Sequence, residues 1–295
     1  MSQIEKPETY QKENLPPFLF CDENRLFWVK DNFVKEGGIG PYDEIFDFGH
    51  SRDCLREPVP PNERITTNTR KDLVYLCFEN PVIVEKMALI TQLANDPTKS
   101  YENQEDRQEY RKNLGVVYQV LAEKVRQRIG WQNALIFPPK NGGIFVKEVY
   151  EQAGFPYGSS FFDYRMSRIL GEDGRLMVGV KFGENNPMIT DARVFVFADD
   201  CLASDISAWG TLEYIKQELA RWHIFPSEAR VIIAVAAATQ RGLESLLSPE
   251  AKNHFGFGSL ETVAGIPVYQ MTKNFYLQHP DGRYVVGDMG KWTRP

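Results

Sequence analysis

An α/β fold, with a mostly parallel sheet flanked by helices, is predicted by three features of the sequence. Beyond residue 130, short apolar runs alternate with helical segments, the order that builds such sheets. One run, "VFVF" at 194–197, leads almost directly into two carboxylates, Asp199 and Asp200, where open α/β sheets present groups to ligands. Ahead of the alternation stand two long segments with helical apolar spacing and recognisable stops.

Residues 1–75 are rich in Pro, Asn, Asp and Gly, and their apolar runs "FLFC" and "LFWV" flank the turn-like "DEN". They read as a loop-rich extension holding one hairpin, with the main domain at 76–295. Helical spacing begins at "NPVIVEKMALITQLANDPTKS", where Asn80 suits a cap and Pro81 the first helical position, and Asn95 and Pro97 stop it. A second helix is predicted from about Gln104 to Ile129, closed by Gly130. Then follow the strand "NALIF", the loop "PPKNGG", a helix in "GIFVKEVYEQAG", and two strands around "GEDG". The strand "ARVFVF", the acidic pair and a polar loop precede the helix "SAWGTLEYIKQELARW". After it come the strand "ARVIIAVAAA", the helix "RGLESLLS", the strand "IPVYQ" and a closing hairpin and loop.

Composition describes an ordinary globule: 295 residues, 42% hydrophobic and 25% charged. The net charge of -6 supplies no field for nucleic acid, so an anionic ligand would need local basic groups. No apolar run approaches membrane-spanning length, and the polar, acidic start is unlike a signal peptide. Four scattered cysteines without metal spacing fit reduced thiols in the cytoplasm. His50 and Cys54 are four residues apart, but no further ligand stands nearby, so no metal cluster is expected from the protein alone.

Carboxylates at a strand end can accept hydrogen bonds from vicinal hydroxyls or hold hydrated Mg2+. The loop "CLASDIS" then delivers backbone N–H groups to a helix start, where phosphate is favoured. Acids for a sugar beside amides for a phosphate point to a sugar phosphate. The same residues also fit an ordinary strand end with Asp205 or Ser207 capping the helix.

"DDCLASDIS" resembles the signature loop of type I phosphoribosyltransferases, in particular that of uracil phosphoribosyltransferases. "NPVIVEKMALITQLANDPTKS" with "EYRKNLGVVYQVLAEKV" is similar to that family's leading helices, "DYR" to its arginine-bearing strand, "VAAATQRGLESL" to its valine-alanine-alanine strand, and "VVGDMGKW" to its C-terminal segment. The resemblance covers roughly residues 75–295, in the family's order. It implies an enzyme that transfers ribose-5-phosphate from phosphoribosyl pyrophosphate to a pyrimidine nucleobase, uracil by resemblance, with Mg2+, in pyrimidine salvage and as a homo-oligomer. By the same resemblance Asp199 would face the ribose hydroxyls, beside Asp200. Ala203, Ser204, Asp205 and Ser207 would fall at the 5′-phosphate loop, and Lys140, Asn141 and Gly142 at the pyrophosphate loop. Arg165 would reach over the pyrophosphate, and Gly287 and Asp288 would read the base edge.

The departures have physical content. Asp205 and Ile206 stand where the family has two glycines, and an amide cradle with φ > 0 costs a β-branched residue about 1 to 2 kcal/mol. Lys140 replaces an arginine and loses its bidentate fork. Ala94 falls where the family has an arginine, and Lys291-Trp292 where it has Asp-Arg. Two further readings therefore stay open: a nucleotide-sensing or regulatory protein on the same fold, or a transferase with another acceptor.

Overall fold

The computed structural model describes residues 80–138, 140–155, 159–171, 175–183, 192–202, 206–246, 248–268 and 270–271, the short stretches 186–187, 277–278, 283, 285–286 and 292–293, and the backbone of four strands within residues 19–76. Helix α1 (Pro81–Asn95) starts as the sequence predicts: Asn80 Oδ1 accepts from the amides of Val82 and Ile83, and Pro81 occupies the first turn. Helix α2 (Gln104–Ile129) is capped by Asn103 and stopped by Gly130 at φ 64°, a conformation glycine adopts without a Cβ penalty.

The main sheet is six-stranded, in the order β4 (Val74–Leu76), β11 (Ser259–Val268), β10 (Arg230–Thr239), β9 (Val194–Leu202), β5 (Ala134–Phe137), β6 (Ser160–Phe161). Every pairing in it is parallel. Helices α1, α2 and α3 (Lys140–Gln152) cover one face, where Ile83, Met87, Leu114, Val117 and Val146 meet Val196, Ala198 and Ile232. Helices α4 (Ile206–Arg221), α5 (Gln240–Leu246) and α6 (Pro249–Phe255) cover the other, where Leu212, Ile215, Leu243 and Phe255 meet Phe195, Phe197 and Ile233. Burial on both faces explains the unbroken apolar runs, since no side of these strands meets water.

Order in the sheet creates a crevice. From β5 the chain passes through α3 to β6 on one side, whereas from β9 it passes through α4 to β10 and onward to β11 on the other. The helices that follow β5 and β9 thus lie on opposite faces beside neighbouring strand ends, the condition that opens a ligand crevice in a parallel sheet.

A second sheet has the order β1 (Leu19–Cys21), β2 (Phe27–Val29), β7 (Tyr164–Gly171), β8 (Arg175–Phe182), β3 (Glu44–Ser51). β1 and β2 form the hairpin around the expected turn, and β7 and β8 the one around "GEDG". β2 runs parallel to β7 and β3 antiparallel to β8, so residues 1–75 supply three strands to this sheet as well as most of β4, which ends at Leu76 in the main one. Short antiparallel strands β12 (Gln270–Met271) and β13 (Leu277–Gln278) pair with each other.

Three local expectations change. Lys140–Gly143 belong to the first turn of α3, not to a loop, because a helix start leaves its amides unpaired in any case and so tolerates glycine there. β9 does not end before the acids but runs through them to Leu202, held by β10, whose Val235 and Ala237 pair with Asp199 and Cys201. Helix α6 is an addition; Ser248 caps it by accepting from the amide of Ala251, a Ser-Pro start hidden beside the preceding helix.

Candidate functional site

Asp199 and Asp200 lie half-buried near the carboxyl end of β9, beside the crevice between β5 and β9. Asp199 Oδ1 accepts the amide of Asp200 at 2.8 Å, which fixes the first carboxylate against its own backbone. Around the pair the strand changes phase. Phe195 and Phe197 face the α4–α6 side, yet Cys201 packs toward α1–α3 and Leu202 toward α4–α6. The alternation of an undisturbed strand would give the reverse. β10 shifts at the same level, with Ala236 and Ala237 both toward α1–α3. The paired register skips Ala236 against both Asp200 and Gly265. A Cβ at Gly265 would sit 2.4 Å from the Ala236 carbonyl oxygen, so only glycine fits that close approach. Asp199 and Asp200 lie at this irregular row across three strands, the kind of local disruption that accompanies functional sites.

The negative charge is felt by its neighbours. Burial, and after it the carboxylates of Asp200 and Asp199, push the Cys201 thiol well above its ordinary range. Burial and then the same carboxylates do so for Tyr118 on α2. Tyr164 is raised by burial, opposed by its hydrogen bond with Thr211, and raised further by Asp199.

The other sequence-derived residues distribute as follows. Lys140, Asn141 and Gly142 open α3, three to five residues beyond Phe137, whose register partner Phe197 is two residues before Asp199. Arg165 is the second residue of β7, opposite Lys181 of β8. Its neighbour Tyr164 lies 3.4 Å, hydroxyl to carbonyl oxygen, from Phe137. The fold therefore gathers the backbones of Lys140, Arg165, Asp199 and Asp200 at one end of the sheet. Ser207 is the second residue of α4, half-buried, and its carbonyl accepts from Thr211 Oγ1 at 3.0 Å. Ile206 opens that helix, and His223 is the one non-glycine residue with φ > 0 among those described, so Ile206 carries none of the left-handed strain a glycine would relieve. Ala203, Ser204, Asp205, Gly287 and Asp288 lie outside the described residues.

Sequence patterns did not reveal how the C-terminal segment is held. Thr91 Oγ1 donates to the Val285 carbonyl at 2.8 Å, and the Tyr110 hydroxyl donates to that of Val286 at 2.5 Å. Trp292 is buried and stacks on Tyr110 with ring centres 5.0 Å apart. Because Arg128, near the far end of α2, meets Glu261 and Arg230 where their strands begin, Tyr110 belongs to the carboxyl-end side, with the acids. The only sequence signal is that polar-tipped aromatics at buried helical positions need partners. Thr239 at the end of β10 reaches the Leu202 carbonyl and accepts the amide of Gly242, joining two site strands to α5.

No protein-family model matches the sequence, and neither does any curated protein. Among solved structures the chain is similar to the AQ2163 protein of Aquifex aeolicus, at 14% identity and TM-score 0.52, over 75% of this chain and 97% of that one. That likeness shows a shared fold. Lower similarity extends to adenine phosphoribosyltransferases of Leishmania donovani (11% identity, TM-score 0.38, 68% and 85% of the two chains) and Thermoanaerobacter pseudethanolicus (12%, 0.34, 62% and 99%).

Proposed function

We propose that the protein transfers ribose-5-phosphate from phosphoribosyl pyrophosphate to a nucleobase, uracil or a related pyrimidine, releasing pyrophosphate. The observation that carries this reading is the acidic pair at the β5/β9 crevice, followed within a few residues by the start of α4. Hydroxyl-binding carboxylates next to a helix N-terminus suit a phosphorylated sugar, whose two ends need acceptors and donors respectively.

Charge development assigns the roles. As the anomeric C–O bond breaks, the ribose becomes oxocarbenium-like and the departing pyrophosphate gains charge. Asp199 holds the ribose hydroxyls, and Lys140 and Arg165 stabilise the leaving group. The base nitrogen attacks in line, and no covalent enzyme intermediate is needed. The α4 amides orient the 5′-phosphate, while Gly287 and Asp288 follow the anchored Val285 and Val286 and read the base.

The acids also fit Mg2+. Two adjacent half-buried carboxylates are hard oxygen donors, which suit an ion that completes its shell with substrate oxygens and water. When bound, Mg2+ neutralises charge on the leaving pyrophosphate.

The test is isotope-labelled phosphoribosyl pyrophosphate with Mg2+ and a panel of bases, run on the parent and on Asp199→Asn. Label appears in a nucleotide product with the parent, and turnover disappears in a mutant that keeps its thermal transition. Absence of transfer to every base refutes the reading.

A further inference from the structure

We propose that Tyr164 is a positioning residue that locks the pyrophosphate side of the crevice to the phosphate side through a buried hydroxyl junction. This rests on the transferase reading above and adds the tyrosine that precedes Arg165 in "DYR", to which that reading gives no role. Tyr164 is 2% exposed, with its hydroxyl 3.0 Å from Thr211 Oγ1 and 3.4 Å from the Phe137 carbonyl; Thr211 is 1% exposed and donates in turn to the Ser207 carbonyl at 3.0 Å. One phenolic proton serves one acceptor at a time. With the Thr211 proton on Ser207, the Tyr164 proton goes to Thr211, the nearer of its two partners.

Each end of this chain belongs to a different part of the crevice. Phe137 ends β5, three residues before Lys140. Tyr164 opens β7 and is followed by Arg165. Ser207 and Thr211 lie in the first two turns of α4. The hydroxyl bond thus joins the arginine-bearing strand to a helix start from a separate connection, and the ring contact of Tyr164 with Phe137 adds the end of β5. Ring contacts of Tyr164 with Phe137 and Phe162, at 6.0 and 6.2 Å between centres, hold the phenol in place without its hydroxyl. Tyr164→Phe therefore removes the link and keeps the packing.

A ligand that spans both sides should feel the loss, whereas a ligand engaging one side should not. The experiment is calorimetric titration of the full chain with Mg2+ and phosphoribosyl pyrophosphate, inorganic pyrophosphate, or ribose 5-phosphate. We expect Tyr164→Phe and Thr211→Val each to weaken the spanning ligand about ten-fold, the scale of one buried hydroxyl bond, with the two smaller ligands changed less than about two-fold. Thr211→Ser, which keeps a hydroxyl, restores parental affinity, and it together with Thr211→Val carries the test if Tyr164→Phe fails to fold. Parallel weakening of all three ligands, no weakening of any, or failure of the serine to rescue overturns the proposal while leaving the transferase reading intact. A parent that binds none of them overturns both.

Discussion

Glu261→Gln tests whether the two ends of the sheet are energetically separate. Glu261 is buried at the start of β11, receiving Arg128 Nε and, at 2.8 Å, Arg230 Nε, while Arg230 also donates to the Arg128 carbonyl at 2.8 Å. The carboxylate side chain is 8% exposed and the arginines 30% and 28%, so water screens the guanidinium groups only in part. At 4 Å and an effective dielectric near 20, each charge contact is worth about 4 kcal/mol before desolvation offsets most of it. Breaking a buried pair from one side costs about 3 to 5 kcal/mol, because the remaining charge is left uncompensated. Glutamine keeps an acceptor for one arginine, which brings the expected loss to about 2 to 4 kcal/mol. For a domain of this size that is a fall in Tm of about 4 to 16 °C, measurable by calorimetry and by urea unfolding with an unchanged m-value. Ligand affinity per folded molecule should not change, because Arg230 and Ser259 begin their strands and the acids lie toward the other end. A loss below about 1 kcal/mol would refute the accounting, and weakened ligand binding in a fully folded mutant would refute the separation.

Other outcomes follow from particular contacts. Gly265→Ala drives a Cβ to 2.4 Å from the Ala236 oxygen and should cost about 1 to 3 kcal/mol in denaturant unfolding, with altered ligand affinity because the same row carries Asp200. Thr91→Val combined with Tyr110→Phe should speed amide exchange at Val285, Val286 and Trp292 while leaving β9 and β10 protected; unchanged exchange would deny that the two hydroxyls pin the segment. The folded-state pKa values of Cys201, Tyr118 and Tyr164 are raised above the ordinary 9.0 for the thiol and 10.0 for the phenols. Their stabilising contribution is therefore complete below those values and is lost as pH rises through the higher folded ones. Unfolding free energy should decline above about pH 9, with the phenolate signals of Tyr118 and Tyr164 appearing together with unfolding; phenolate formation at either residue in the intact fold would contradict this.

Much of the fold was legible because local rules and tertiary packing agree. Asn80 and Pro81, Asn103 and Gly130 mark helix ends through side-chain caps and a positive φ, which are properties of a few adjacent residues. Continuous apolar runs at 194–198 and 231–238 announce strands buried on both faces. The acidic pair could be singled out because carboxylates directly after such a run have no place in a core. Sequence could not decide that β9 continues through those acids, since its neighbour β10 supplies the pairing from more than thirty residues away. Nor could it decide that β2 and β3 complete a sheet with β7 and β8, that Trp292 finds Tyr110, or that Tyr164 finds Thr211. Those contacts join positions with no shared period. Caps and periodicity act over a few residues, whereas the crevice is set by which strand ends the parallel sheet brings side by side.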